Sequence, residues 1–340
     1  MDFTGLNRFH AYKLDRPLTE EERKSQLNPK KPASDDPLDW LSVIKINSTY
    51  LELVDRWYAG KGFATWMGGM FAVPFTLGLF YIIYSSIKQA SPVMWMLDLL
   101  FSLAVIFFAW VGIWIMRHEV FRQTHYPIRL NRKTRQVYAY RPDGTILRTD
   151  WDKLFICAIT TGSSEMTRIE DIRAHVLAED GETVKDTFTL GYPYLGNREG
   201  MLQLWEYIRR YMEEPDGVEK NYKQTEICMP LDGRREGLVF GLVRTFAPMA
   251  KWPLMQLLVS PLWALTTLGR WFAMSTCKVP RWPEEVEAAC PIEPNDPYRK
   301  DWRDNGKYDF WELGWPLVCF AVGLTVLGIG AVWLVRVWFV

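Results

Sequence analysis

GFATWMGGMFAVPFTLGLFYIIYSSI, residues 62–87, and QASPVMWMLDLLFSLAVIFFAWVGIWIM, residues 89–116, decide how this chain is read. The first stretch is 26 residues without a charge; the second is 28 residues with one, Asp98. Only Lys88 separates them. A third run of 23 uncharged residues, Leu313–Val335, stands between Glu312 and Arg336. Each exceeds the roughly 20 residues that a helix needs to cross a hydrocarbon core. Tryptophan and tyrosine gather toward the ends: Trp66, Tyr81 and Tyr84, then Trp95 and Trp114, then Trp315 and Trp333, as interfacial anchoring asks. The reading is three transmembrane helices.

Working outward, the average hides a segregation. Among 340 residues, 15% are aromatic and 24% are charged, so the mean hydropathy is only −0.11 although parts of the chain are very apolar. Forty basic residues balance forty acidic ones, which gives no nucleic-acid footprint. The apolar content excludes intrinsic disorder. Five cysteines at 157, 228, 277, 290 and 319 show no CxxC spacing, so neither a disulfide framework nor a structural zinc site is expected.

Charge placement orients the spans. Lys45, Arg56 and Lys61 precede the first, and Arg117, Arg122, Arg129, Arg132, Lys133 and Arg135 follow the second. Both flanks therefore belong in the cytoplasm, with the short turn outside. Lys278, Arg281, Arg299, Lys300, Arg303 and Lys307 precede the third span and belong inside as well. A crossing within residues 237–274, which carry Arg244, Pro253, Gln256 and Pro261, would put those six charges outside. That stretch is accordingly read as interfacial or re-entrant helices. The first apolar stretch comes late, so insertion through the first hairpin, without a cleavable signal peptide, is expected.

Between the second span and residue 214 the texture changes to strands. Tyr126–Asn131, Gln136–Tyr140, Thr145–Thr149, Leu154–Thr160, Ile172–Leu177 and Val184–Leu190 are short and rich in β-branched and aromatic residues. Pro142-Asp143-Gly144 and Glu179-Asp180-Gly181 supply hairpin turns. In Asn197–Glu214, Met201, Leu204, Trp205, Ile208 and Tyr211 recur at helical spacing. The expected domain is an antiparallel β domain closed by that helix. The divisions are a flexible arm (1–39), an amphipathic juxtamembrane helix (40–61), a transmembrane hairpin (62–116), the cytoplasmic β domain (117–214), a linker (215–236), the interfacial or re-entrant helices (237–274), a cytoplasmic linker (275–312) and a last transmembrane helix (313–340). The fold class is an α+β integral membrane protein.

A membrane hairpin followed by PIRLNRKTRQVYAYRPDGTI (127–146) and DWDKL (150–154) resembles bacterial PH-like domains attached to membrane hairpins. It also resembles a family of uncharacterised Gram-negative inner-membrane proteins associated with type VI secretion effector and immunity loci. The resemblance covers residues 60–214 and rests on strand order with Leu130, Arg132, Val137, Gly144 and Trp151. It implies a PH-like fold, an inner-membrane location and a protein partner, and brings no catalytic residues.

No GxSxG elbow, Walker loop, HExxH or dinucleotide fingerprint occurs. The four histidines are His10, His118, His125 and His175, without the spacing of a metal site. No cofactor, metal or catalytic set is expected. Asp98 is the sharpest single residue, because a carboxylate within a span is costly. Gly68, Ala72 and Thr76 make a small-residue face on the first span, and Gly323 with Gly330 makes one on the last. Such faces suit packing within the chain, against a second copy, or against a partner's membrane segment. Arg129, Arg132, Lys133 and Arg135 lie near the membrane and could meet anionic lipid.

The functional expectation is a non-enzymatic inner-membrane immunity protein that binds and neutralises a bacterial toxin. Two other classes fit the same features: a membrane-active effector, served by residues 237–274, and an accessory subunit of an envelope or transport complex, served by Asp98.

Overall fold

The computed structural model describes residues 14–88, 92–161 and 168–339; His10 and the first thirteen residues of the expected arm lie outside them. In chain order, β1 (Arg16–Pro17) and α1 (Glu20–Lys24) precede β2 (Val43–Ile46), β3 (Tyr50–Leu53) and the single turn α2 (Arg56–Ala59). Two long helices follow, α3 (Phe63–Lys88) and α4 (Pro92–Met116). Then come β4 (Ile128–Asn131), β5 (Gln136–Tyr140), β6 (Ile146–Asp150), β7 (Leu154–Thr161), β8 (Ile169–Leu177), β9 (Thr183–Thr189) and β10 (Tyr194–Leu195). The rest is helical: α5 (Arg198–Glu213), α6 (Gly217–Gln224), α7 (Leu238–Phe246), α8 (Pro253–Leu258), α9 (Ser260–Thr276), α10 (Glu284–Ala289) and α11 (Trp315–Phe339). The chain is α+β and divides into two units.

The polar unit takes the described residues up to Gly60, Gln123–Arg234 and Val279–Lys307. Its first sheet is an antiparallel meander in the order β2-β3-β4-β5-β6; the second runs β1-β9-β8-β10, with β7 also paired to β8. The six strands expected after the membrane hairpin are all present. They are divided between two sheets, because the turn Trp151–Lys153 carries the chain from β6 in one to β7 in the other. Helix α5 forms where the apolar stripe places it, capped by Asn197, whose side chain accepts the Gly200 N–H. Met201, Leu204, Trp205, Ile208 and Tyr211 are all buried, and Trp205 stacks on Trp151 with centroids 6.1 Å apart.

Four expectations are corrected here. Residues 40–61 do not form an amphipathic helix: β2 and β3 make a hairpin whose turn is held by Asn47, its Oδ1 accepting the N–H groups of Thr49 and Tyr50. β-Branched Val43, Ile44 and Ile46 favour the strand, and β3 then pairs with β4 in register Leu51↔Leu130. The described part of the 1–39 arm is built in, with Leu18 and Leu27 buried and a capping box at Thr19. Residues 215–236 contain α6, whose Asn221 is fully buried. Most of the 275–312 linker is also core: Val286 and Cys290 pack against Tyr50 and Tyr138, and Lys300 pairs with Ile46.

The apolar unit comprises Lys61–Arg122, Arg235–Lys278 and Tyr308 onward. Three of its helices, Phe63–Lys88, Val93–Met116 and Phe310–Leu334, are long and apolar enough to cross a membrane, with mean hydropathies of 1.7, 2.5 and 2.4. Many of their large apolar side chains are exposed. Glu119 stands over the start of α3 and accepts from the N–H groups of Gly62, Ala64 and Thr65 and from the Thr65 hydroxyl. An acid there complements the helix dipole and satisfies donors that have no partner within the helix.

Candidate functional site

A row of ionisable groups runs through the interior of the polar unit. Successive strand residues point to opposite faces, so Asp171, Arg173 and His175 share one face of β8, and all three are buried. Arg56, from α2, meets Asp171 at 3.0 Å; Arg173 stands 3.4 Å from the same carboxylate. At the other end His175 Nε2 lies 3.3 Å from Glu22, and Glu22 accepts both guanidinium nitrogens of Arg16 at 2.6 and 2.8 Å. The row clamps the N-terminal segment and α2 to the second sheet. Buried charges arranged in pairs avoid the several kcal/mol that each would cost alone.

Protonation follows from this packing. Burial pushes the His175 ring down to about 4, against the pull of Glu22, so it is neutral at pH 7. Burial also opposes the Glu22 charge, but Arg16, the Thr19 N–H and His175 together hold that carboxyl at about 2. Cys157 lies opposite Arg173 in the ladder; burial, then Glu22 and Asp171, push its thiol well above the ordinary value. A thiol kept protonated is a poor nucleophile.

Beside Arg56 the two sheets leave a small cleft of about 40 Å³. Trp57, Tyr126 and Tyr140 give it aromatic walls, Arg56 and Arg141 line it with their charges matched by Asp171 and Asp186, and Thr187 comes from β9. Asp55 sets its shape by accepting the Trp57 N–H at 2.7 Å and the Tyr126 N–H at 2.8 Å, tying α2 to the approach of β4. Arg141 pairs with Asp186. Thr187 is only 5% exposed, and its hydroxyl has no hydrogen-bond partner among the described residues. A buried hydroxyl left unpaired costs about 1–3 kcal/mol, which a ligand that bonds to it would recover.

The residues singled out from sequence fall elsewhere. Asp98 accepts the Ser86 hydroxyl at 2.5 Å across the α3–α4 hairpin, with Ser86 two residues from the end of α3. Gly68 and Ala72 face Gly112: a Cβ on Gly112 would stand 2.4 Å from Ala72 N and 2.6 Å from Gly68 O. Thr76 is half-buried. Gly323 packs on α9, where a Cβ would meet Ser260 O at 2.4 Å, whereas Gly330 faces open space.

The basic run makes its contacts within the polar unit. Arg129 is 2% exposed, paired with Glu52 at 2.7 Å and held between the rings of Tyr50 and Trp282. Arg132 donates to the carbonyls of Tyr211 and Glu214, and Arg135 to that of Met212, so both cap the end of α5, as cations at a helix C-terminus do. Lys133 pairs with Glu293. These charges are used inside the unit because β4 and β5 turn them toward α5 and the 279–307 segment.

Sequence reasoning missed the cleft. The alternation Asp171, Arg173, His175 on a strand was a readable signal of an ionic face, but nothing local said that the face would be buried.

Among the described residues no group of three or more His, Cys, Asp or Glu could hold a metal ion. No curated protein and no solved structure matched the chain. Residues 105–294, more than half of the chain, match a family of unknown function (DUF6708). The match runs from within α4 through β4–β10 and past α10, leaving out β1, β2 and β3, and on it the chain belongs to the DUF6708 family.

Proposed function

We propose that this protein is a membrane-anchored binding protein, and specifically an inner-membrane immunity protein that captures a bacterial toxin through a PH-like cytoplasmic unit. The cleft is the observation that supports this reading. Aromatic walls beside arginines are what recognition surfaces use as anchors, and the unpaired Thr187 hydroxyl is a bond for a partner to complete. Three apolar helices would anchor the chain in the membrane that a translocating toxin has to pass. Occlusion of the toxin would then need affinity and no chemistry.

The test is survival. Cells producing the candidate toxin are compared with and without this protein, and with a Thr187→Leu variant that fills the cleft. Protection by the wild-type chain and its loss in an inserted, folded Thr187→Leu protein support the reading; equal killing with and without the wild-type chain contradicts it.

A further inference from the structure

Residues 236–276 have a geometry that the three long helices do not explain. Glu236 and Arg270 form a buried two-bond ion pair, 2.6 and 2.8 Å, and Arg270 also donates to the Lys61 carbonyl at 3.2 Å. Gly269 lies against Gly62 and Trp66, where α3 begins. Both ends of the segment are thus pinned at the start of a membrane-length helix. From that base α7, nine residues long, extends for about 13 Å. α9 returns over the eleven residues from Ser260 to Arg270, about 15 Å. The two legs are alike in length, so the turn between them lies away from the base. Its position is marked by Gly323, packed against Ser260 and Ala264 and about 12 Å along α11 from Trp315.

The turn is apolar and uncovered. Leu254 is 80% exposed, Leu258 73% and Trp252 67%, while Gln256 points inward and donates to the Phe246 carbonyl at 2.9 Å. Three large side chains outward and the polar one inward is the reverse of a water-facing turn. The surface is continuous with α3 and α11, to which α9 packs, so its partner is the partner of those helices. Lys251 is exposed beside Trp252 and limits the depth, because its ammonium has to reach back to the headgroups.

We propose that residues 236–276 form a re-entrant wedge that enters one leaflet of the bilayer and returns on the same side. Trp252, Leu254 and Leu258 lie among the acyl chains, and Lys251 reaches the lipid phosphates. The proposal rests on the reading that α3, α4 and α11 span the bilayer. It is tested on the full chain in phosphatidylethanolamine–phosphatidylglycerol vesicles, with nitroxide labels at Leu254→Cys, Leu258→Cys and Lys251→Cys. The native cysteines are all buried.

At positions 254 and 258 oxygen should enhance relaxation severalfold more than a water-soluble nickel chelate, with the ratio near even at 251. Nickel access at 258 equal to that at an exposed Glu285→Cys label overturns the wedge. A Val326→Cys label in α11 separates the two readings: oxygen-dominated at 326 but nickel-dominated at 258 sinks the wedge alone, and nickel-dominated at both sinks the membrane reading. Reaction of Lys251→Cys and Ser275→Cys with an impermeant maleimide from the same side is expected; opposite sides would make the segment a crossing and overturn the proposal.

Discussion

Replacing Arg129 by methionine should be among the most damaging single changes in the polar unit. The guanidinium meets Glu52 at 2.7 Å with both side chains almost wholly enclosed, 3% and 6% exposed. Burial works against the charge, but Glu52, Tyr50 and Glu287 together hold the Arg129 pKa above its ordinary value. Removing one partner of a buried pair leaves the other charge unpaired, a loss of about 3–5 kcal/mol. The cation–π contacts to Tyr50 and Trp282 add about 1 kcal/mol; the 3.2 Å contact to the half-exposed Glu287 adds less than about 1 kcal/mol.

Arg129→Met with Glu52→Leu removes both charges and should recover most of the loss, to within about 1–2 kcal/mol of wild type. Arg129→Lys should recover little, because an ammonium lacks the planar face that fits between two rings. Urea unfolding in detergent, followed by tryptophan fluorescence, reads all four proteins. Near-equal stability of Arg129→Met and wild type, with reduced vesicle binding, would refute the reasoning and return Arg129 to the lipid surface.

Other expectations use different parts of the molecule. His175 has a folded pKa of about 4 against about 6.5 in an unfolded chain. As pH falls through 6.5 the unfolded chain gains a proton that the folded one refuses, so stability should drop until about pH 4, by about 3 kcal/mol in all. A His175→Gln protein should lose that slope; an unchanged slope would contradict the assignment. Gly112→Ala should separate α3 from α4, because its Cβ meets backbone at 2.4 and 2.6 Å, at about 1–3 kcal/mol. Gly330→Ala, with nothing within 4 Å, should leave thermal stability in detergent unchanged. Asp98→Leu should lose the Ser86 bond at about 1 kcal/mol while Asp98→Asn keeps it; equal melting of the two would show that the bond carries nothing.

How much of this was legible depends on how local each cause is. The three long apolar helices could be read because length and uncharged runs are properties of a continuous segment, and α5 because its stripe and its Asn197 cap lie within eighteen residues. The β2–β3 hairpin could not. Leu41, Ile44, Leu51 and Val54 fit a helical spacing well enough, and what decides for strands is pairing with β4, on the far side of the α3–α4 hairpin. The same non-locality hid the role of residues 279–307, whose prolines look like a linker until Val286 and Cys290 are seen against Tyr50 and Tyr138. The partners of Arg129–Arg135 were hidden for the same reason, since Glu52, Tyr211, Met212 and Glu293 are supplied by three other parts of the chain.

The central claim is that the cleft binds a protein partner at the membrane. A photo-crosslinking amino acid placed at Tyr140, in the cleft, and at Lys153, on the polar unit's exposed surface, is irradiated in intact host cells, and adducts are resolved by mass. The account predicts one discrete protein adduct at position 140, absent at 153 and lost when Thr187→Leu is added. The same adducts at both positions, or none at 140, would contradict it.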